Sequence, residues 1–201
     1  IKGKKIYDPR TSTTAWSDNP ALCVRDYLTA TGYGLGEAAA NINDTAFTTA
    51  ANICDETSTD AGTTRYTANG AFTTGTTPQD LLEGLITSMG ATLWYTQGAW
   101  NVKAAKWTAP VLDLNEDDLR SGISLATRHS RRDNFNTVNG TFRGDESNWQ
   151  VTDFPPVTNA AFVTADGGLE SSLDMDLPFT DNSIESRRIA RIMLERNRQQ
   201  L

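Results

Sequence analysis

No part of the sequence restricts the local structure as strongly as Thr77-Pro78-Gln79-Asp80. A hydroxyl residue, a proline and a carboxylate in this order are typical of a helix start. The hydroxyl accepts a hydrogen bond from a first-turn amide, and proline at the first position has no amide to leave unpaired. The pattern predicts an amphipathic helix that ends at a glycine. Its apolar stripe and final glycine are Leu81, Leu82, Leu85, Ile86, Met89 and Gly90.

Three other segments carry helical patterns. Asn19-Pro20 again combines an N-cap residue with a first-position proline, and Gly32 ends this predicted helix. Its apolar residues are Leu22, Val24, Tyr27 and Leu28. A further helix is predicted to start at Asn43 or Asp44, and a last one at about Ser183. The apolar side of the helix after Asn43 comprises Phe47, Ala50, Ala51 and Cys54.

The segments 91–96 and 99–104 predict a β-hairpin, because Gln97-Gly98 between them is typical of a two-residue turn. Trp100 and Val102 alternate with Asn101 and Lys103. Successive side chains of a strand point to opposite faces. One face of this hairpin is therefore expected to be buried and the other solvated.

The second half of the chain is predicted to be mostly strand. Alternating apolar residues at Ile123 and Leu125 and in 135–142 predict two strands, and 149–156 is predicted to be a loop. A second hairpin is expected around Asp166-Gly167-Gly168. On its outgoing strand the apolar face is Leu169, Leu173, Met175 and Leu177. The polar face is Glu170, Ser172, Asp174 and Asp176.

These patterns together favour an α+β fold with mainly antiparallel strands and hairpins and about four helices. We expect two lobes. Residues 1–110 form a helix-rich α+β lobe with a hairpin, and residues 111–201 form a β-rich lobe that ends in a helix. Because a strand pattern begins near the start of the chain and a helical pattern runs to its end, we expect a fragment of a longer polypeptide.

Composition limits the partners of the chain. The 201 residues include 38% hydrophobic residues, which is enough for a core, and carry a net charge of −7. An acidic chain lacks the basic face of a dedicated nucleic-acid binder and is repelled by anionic membrane surfaces. The sequence also contains no apolar run of the length that a membrane span needs.

The sequence predicts no catalytic, cofactor-binding or metal-binding residues. His129 is the single histidine, and no nucleophile motif accompanies it, so it is interpreted as a polar surface residue. Cys23 and Cys54 are predicted to be buried free thiols that cannot form a zinc site. The 25 acidic residues form no marked motif, although a carboxylate pair of a glycoside hydrolase is recognised only in space.

Two strings imitate known motifs. Asp113-Leu114-Asn115-Glu116-Asp117 resembles the start of an EF-hand loop, but Asp118 and Ser124 stand where glycine and glutamate are required. A solvated turn or helix start is the predicted structure. The glycines in 32–36 follow a helix rather than a strand, so they are interpreted as a helix stop instead of a phosphate loop.

The last predicted helix is rich in arginine, at Arg187, Arg188, Arg191, Arg196 and Arg198. An apolar stripe of Ile189, Ile192 and Met193 is expected to pack on the second-half sheet. We expect Arg187, Arg191 and Arg198 to face solvent and, in an assembly, a neighbouring subunit. A nucleic-acid face is the alternative, which the net charge disfavours.

Short strings spread over nearly the whole chain resemble the tail tip attachment (host-specificity) proteins, or tail hubs, of lambda-like siphophages and prophages. In the first half these are Tyr7-Asp8-Pro9-Arg10, Trp16-Ser17-Asp18-Asn19-Pro20-Ala21, Asp26-Tyr27-Leu28, Tyr33-Gly34-Leu35-Gly36 and Met89-Gly90. In the second half they are Asp117-Asp118-Leu119, Ser130-Arg131-Arg132-Asp133, Asn148-Trp149-Gln150, Asp153-Phe154-Pro155-Pro156-Val157 and Asp176-Leu177-Pro178-Phe179-Thr180.

The resemblance implies a structural segment of a tail-hub polypeptide without enzymatic activity or cofactors. It implies a homotrimeric hub at the distal end of the tail tube, with other tail proteins as partners. The protein would be cytoplasmic in the bacterium during assembly and later part of the virion tail. Two rival classes remain at this stage, a tail-associated cell-wall hydrolase and an element of the tail lumen that contacts DNA.

Overall fold

The computed structural model describes residues 3–60, 62–122 and 134–199. Within these ranges, five α-helices and eight β-strands form an α+β structure, which confirms the predicted fold class. Four strand pairs are antiparallel and one is parallel. No helix in the described ranges is long and apolar enough to cross a membrane.

Two short strands and three capped helices build the first half. Strands β1 (Lys5–Asp8) and β2 (Thr13–Trp16) pair antiparallel. Helices α1 (Pro20–Thr29), α2 (Asp44–Asp55) and α3 (Pro78–Thr87) follow. Each starts after the N-cap residue that the sequence predicts, because the side chains of Asn19, Asn43 and Thr77 accept hydrogen bonds from first-turn amides.

Gly90 ends the α3 region as predicted. Its φ of 54° lies in the left-handed region, where glycine avoids the strain of a side chain. A Cβ atom at this position would lie 3.0 Å from the Cβ atom of Ala105, so the chain also approaches closely here. Gly90 thus allows the tight turn that connects α3 to the following hairpin.

The predicted hairpin consists of β3 (Thr92–Thr96) and β4 (Ala99–Lys103). Gln97 and Gly98 have φ values of 52° and 79°, as a tight turn between twisted strands requires. The predicted solvated face is wrong at Asn101, which is only 8% exposed because α2 packs against β4. The Asn101 side chain accepts a hydrogen bond from Asn43 Nδ2 at 2.7 Å and donates one to the Ala99 carbonyl at 2.9 Å.

The second half is organised around β5 (Thr137–Arg143). Strands β6 (Val151–Asp153) and β7 (Val157–Thr158) pair antiparallel with opposite ends of β5, while β8 (Ser172–Leu177) pairs parallel with it. Strand β6 lies in the segment predicted to be a loop. The predicted strand around Ile123 and Leu125 lies outside the described residues.

The predicted second hairpin is wrong. Its incoming strand is replaced by α4 (Ala160–Ala165), which Asn159 caps by accepting from the Ala161 amide at 3.0 Å. Gly167 and Gly168 do form a turn, with positive φ values, but they end this helix. Strand β7 ends beside Thr137 at the start of β5, and β8 begins beside the same residue, so β8 runs parallel to β5 after the α4 connection. The predicted alternation holds within β8, whereas Leu169 lies before it and is 67% exposed.

Helix α5 (Ser183–Gln199) packs against β5 and β7, which confirms the predicted docking of the last helix on the sheet. Ile189 is fully buried as expected, whereas Ile192 and Met193 are half-buried. Ala190 and Leu194, which the sequence pattern missed, complete the buried side. A single hydrophobic cluster contains buried residues from both predicted lobes.

Candidate functional site

An open groove of about 1130 Å³ is bordered by the β1–β2 pair, α1 and the segment 68–74. Its wall is rich in aromatic side chains that remain accessible, since Trp16 and Phe72 are each 40% exposed and Trp149 is 51% exposed. The φ of Trp149 is 61°, a conformation that costs a bulky residue about 1–3 kcal/mol. We call this surface the aromatic groove.

Lys4, Asp26 and Tyr33 form a polar cluster in the aromatic groove. Lys4 Nζ lies 3.2 Å from Asp26 Oδ2, and the Tyr33 hydroxyl donates to the same carboxylate oxygen. Burial and the neighbouring Asp26 raise the pKa of Tyr33. Burial alone would lower the pKa of Lys4, but hydrogen bonds to Tyr33 and Asp26 outweigh it and raise that pKa. Lys4 and Asp26 form an ion pair to which the neutral Tyr33 hydroxyl is hydrogen-bonded, and the Lys4 side chain remains 55% exposed in the groove.

A second polar cluster lies at the start of α5. Glu185 is 1% exposed. Its Oε1 accepts from the Thr67 amide at 3.0 Å, and its Oε2 lies 3.1 Å from both Thr67 Oγ1 and Asn182 Nδ2. Asp181 accepts from Asn69 Nδ2 at 2.8 Å. Burial raises the pKa of Glu185 to about 8, so the carboxyl is mainly protonated at neutral pH.

Asp181 and Glu185 bring two carboxyl groups into this cluster, as the acid pair of a glycoside hydrolase would require. Glycoside hydrolysis requires both carboxyl groups to reach the scissile bond and a water molecule. Here the hydrogen bonds of Glu185 go to Thr67 and Asn182, and its side chain is almost inaccessible. The arrangement ties α5 to the segment around Thr67 and presents no open cleft.

The residues of the predicted polar and EF-hand-like segments lie partly within the described ranges. His129 and Ser124 lie outside the described residues. Asp113, Asp117 and Asp118 are exposed, and Asp118 Oδ2 accepts from the Asn115 amide at 3.1 Å. This confirms the predicted solvated turn. In the described ranges no group of three or more histidine, cysteine or acidic side chains is arranged to hold a metal ion.

Helix α1 ends at Thr29, three residues before the predicted stop at Gly32, and the glycine-rich segment 32–36 folds back on the end of the helix. The amides of Leu35 and Gly36 donate to the carbonyls of Tyr27 and Ala30, both at 3.0 Å. A Cβ atom on Gly34 would lie 1.9 Å from the Tyr27 carbonyl oxygen, so only glycine fits. These two amides are already used by the helix end, which explains the glycines without a phosphate ligand.

Both cysteines are free thiols, as predicted. Cys54 is completely buried, and its Sγ lies 3.8 Å from Met89 Sδ. Cys23 is less buried, and burial raises the pKa of its thiol to about 12. Burial raises the pKa of Cys54 as well. Both side chains are therefore protonated and unreactive at neutral pH.

The arginines of α5 divide into two groups. Arg187 and Arg191 are exposed, as predicted. The prediction is wrong for Arg198, which pairs with Asp166 and lies 5.0 Å from the Phe162 ring centroid. Arg188 is likewise occupied, because it bonds to both Asp60 and the Arg65 carbonyl. Helix α4 brings Asp166 to α5, and no sequence pattern indicated that helix.

Residues 107–119 form a segment with unusual exposure, which we call the apolar segment. Trp107 is 83% exposed, Val111 99%, and Leu112 and Leu114 71% and 72%. Four large apolar side chains in one short stretch differ from the scattered exposure that ordinary surfaces show. From the sequence, this stretch was predicted only to contain a solvated turn or helix start at Asp113. The apolar segment has the character of a contact surface.

The fold defines an α+β protein in which the aromatic groove and the apolar segment are accessible surfaces. No protein-family model matches the chain, and no curated protein matches its sequence.

Proposed function

We propose that the chain is a structural component of a phage or prophage tail tip, which contributes to tail assembly and to closure of the distal end of the tail tube. The observation that carries the proposal is the apolar segment, with Val111 99% exposed and Leu112 and Leu114 each more than two-thirds exposed. Such a surface is unfavourable in water and is stabilised by contact with another subunit. The ordered strings that resemble tail-hub proteins supply the biological setting.

The proposed partners are other tail proteins and further copies of the chain in a homotrimer. The protein acts in the virion tail after assembly in the bacterial cytoplasm. Specific nucleic-acid binding is not part of the proposal, because the net charge is −7 and the Arg188 and Arg198 side chains are bound to carboxylates of the same chain. Exposed Arg187 and Arg191 are available to carboxylates of a neighbouring subunit.

A non-enzymatic role is supported by the burial of the polar cluster around Glu185. The alternative is a tail-associated cell-wall hydrolase, for which the acids would be Asp181 and Glu185. Burial of Glu185 at 1% exposure favours the structural role over this alternative. Peptidoglycan turnover by the purified chain that is lost in Glu185→Gln, with folding intact, would favour the hydrolase instead.

The structural role is tested in tails assembled with the tagged chain. Immunogold electron microscopy is expected to place the tag at the distal tip of the tail. The variant Leu112→Asp/Leu114→Asp is expected to fold normally but to be absent from tails, because charged side chains cannot enter an apolar interface. Thr108→Asp serves as the exposed control. Label found elsewhere on the tail, or tails that form equally well without the chain, would contradict the proposal.

A further inference from the structure

A second groove lies between α3 and α5 and shares no lining residue with the aromatic groove. Its volume is about 580 Å³, and we call it the helix groove. Its wall includes the half-buried apolar side chains of Leu82, Ile86, Leu93 and Met193, and Ile189 is fully buried beside them. An apolar cleft between two helices is a common docking site for a few apolar side chains of a partner.

The two rims of the helix groove differ in charge. Arg196 of α5 lies on one rim, and Glu83 of α3 lies on the other. Arg196 Nη1 donates to the Gly90 carbonyl at 3.0 Å, and in the described ranges no carboxylate pairs with it. The α5 rim therefore offers an unpaired positive charge beside an apolar surface, whereas the α3 rim repels acidic groups.

The apolar segment has the complementary pattern. Leu112 and Leu114 are exposed, and Asp113 between them forms no ion pair with another described residue. The segment begins close to the helix groove, because the Ala105 amide donates to the Met89 carbonyl at 3.1 Å and Gly90 lines the groove. The segment nevertheless leaves the groove of its own chain open.

We propose that the apolar segment of one copy docks in the helix groove of a second copy. Leu112 and Leu114 lie against the apolar wall, and Asp113 pairs with Arg196 of the other copy. The inference rests on the proposed self-association and adds the two surfaces that produce it. Because the segment and the groove are different patches, the contact is head-to-tail, and such a contact forms a ring such as a trimer when the rotation between successive copies closes.

The test uses a fluorescently labelled synthetic peptide of residues 107–119 and the full 201-residue chain. Anisotropy is expected to show saturable binding, with at least tenfold weaker binding to Arg196→Glu. The peptide with Asp113→Arg is expected to bind Arg196→Glu better than the wild-type chain, since the swap restores opposite charges. Lys5→Glu reverses an exposed charge outside the helix groove and is the matched control. Melting curves of each variant verify that it is folded.

Absence of binding at several hundred micromolar, or weakening by Lys5→Glu equal to that by Arg196→Glu, would overturn the proposal. The proposal would also be wrong if the apolar segment occupied the helix groove of its own chain. In that case Leu112→Asp/Leu114→Asp in the full chain would free the groove, and the peptide would bind that variant more tightly than the wild type. Peptide binding is measured without tails, so a failure to bind contradicts the docking proposal alone. The location of the chain at the tail tip is tested separately by the immunogold experiment.

Discussion

Glu185 accepts a hydrogen bond from the backbone amide of Thr67 at 3.0 Å, across 118 positions of sequence. The same carboxyl group accepts from Asn182, while the Asn182 side chain accepts from the Glu185 amide at 2.8 Å. Asn182 thus caps the first turn of α5, and its side-chain amide also holds the Glu185 carboxyl. Glu185 in turn fastens the start of the last helix to the first half of the chain.

Stability is expected to fall as the pH rises from about 4.5 to about 8. The pKa of Glu185 is raised from 4.5 to about 8 in the folded chain, mainly by burial. Between these values the unfolded chain releases the proton that the folded chain keeps, so alkaline conditions favour unfolding. Urea denaturation at pH 5, 7 and 9 measures the effect.

Glu185→Gln is expected to remove most of this pH dependence, because the amide imitates the neutral carboxyl and can donate to Thr67 Oγ1. The exposed substitution Glu170→Gln is the control and should leave the pH profile unchanged. A wild-type profile that rises between pH 5 and 8 would contradict the protonated state of Glu185.

Thr77→Ala is expected to destabilise the chain by about 1 kcal/mol. The Thr77 side chain accepts from the Asp80 amide at 3.4 Å, and alanine leaves that first-turn donor to water. Thr76→Ala removes a neighbouring exposed hydroxyl outside the helix and is the control. Equal unfolding free energies for the two variants would show that the cap contributes nothing.

Gly34→Ala is expected to destabilise the fold by about 3 kcal/mol, because the new Cβ atom would lie 1.9 Å from the Tyr27 carbonyl oxygen and force the turn after α1 to move. Gly32→Ala provides a matched control, since a Cβ atom there meets no atom within 4 Å. Thermal unfolding of both variants makes the comparison. The close approach would be refuted if Gly34→Ala melted like Gly32→Ala.

Charge reversal on α5 should separate structural arginines from those that face solvent. Arg198→Glu places a negative charge next to Asp166 and is expected to cost about 2 kcal/mol of stability. Arg187→Glu/Arg191→Glu should change stability by no more than about 0.5 kcal/mol per site, since both side chains are exposed.

The same double variant is expected to prevent incorporation into tails if these arginines meet a neighbouring subunit. Incorporation is measured by the tip labelling already described, with unfolding free energies as the control for folding. A double variant that enters tails normally would show that the exposed arginines make no essential contact.

The chain alone is expected to be a monomer or a weak oligomer at micromolar concentration. Docking of three residues of the apolar segment buries far less than the roughly 1,200–2,000 Å² of a stable interface. Sedimentation velocity over a concentration series measures the oligomeric state. A trimer that persists at one micromolar would contradict this expectation.

Local chemistry in the sequence was sufficient to predict the helix starts at Asn19, Asn43 and Thr77 and the tight turn at Gln97-Gly98. Each depends on hydrogen bonds or backbone preferences within a few residues, so neighbours in sequence determine it. The interval before Gly167 was wrongly predicted to be a strand, because α4 is only six residues long and too short to show a helical repeat of apolar residues.

Tertiary structure alone decided the burial of Asn101, the parallel pairing of β8, the Arg198–Asp166 ion pair and the Thr67–Glu185 bond. Each joins groups from distant parts of the chain, and the free energy of burial depends on which surfaces meet. The exposure of Leu112 and Leu114 was likewise decided by the tertiary structure, because it depends on whether other parts of the chain pack over these side chains.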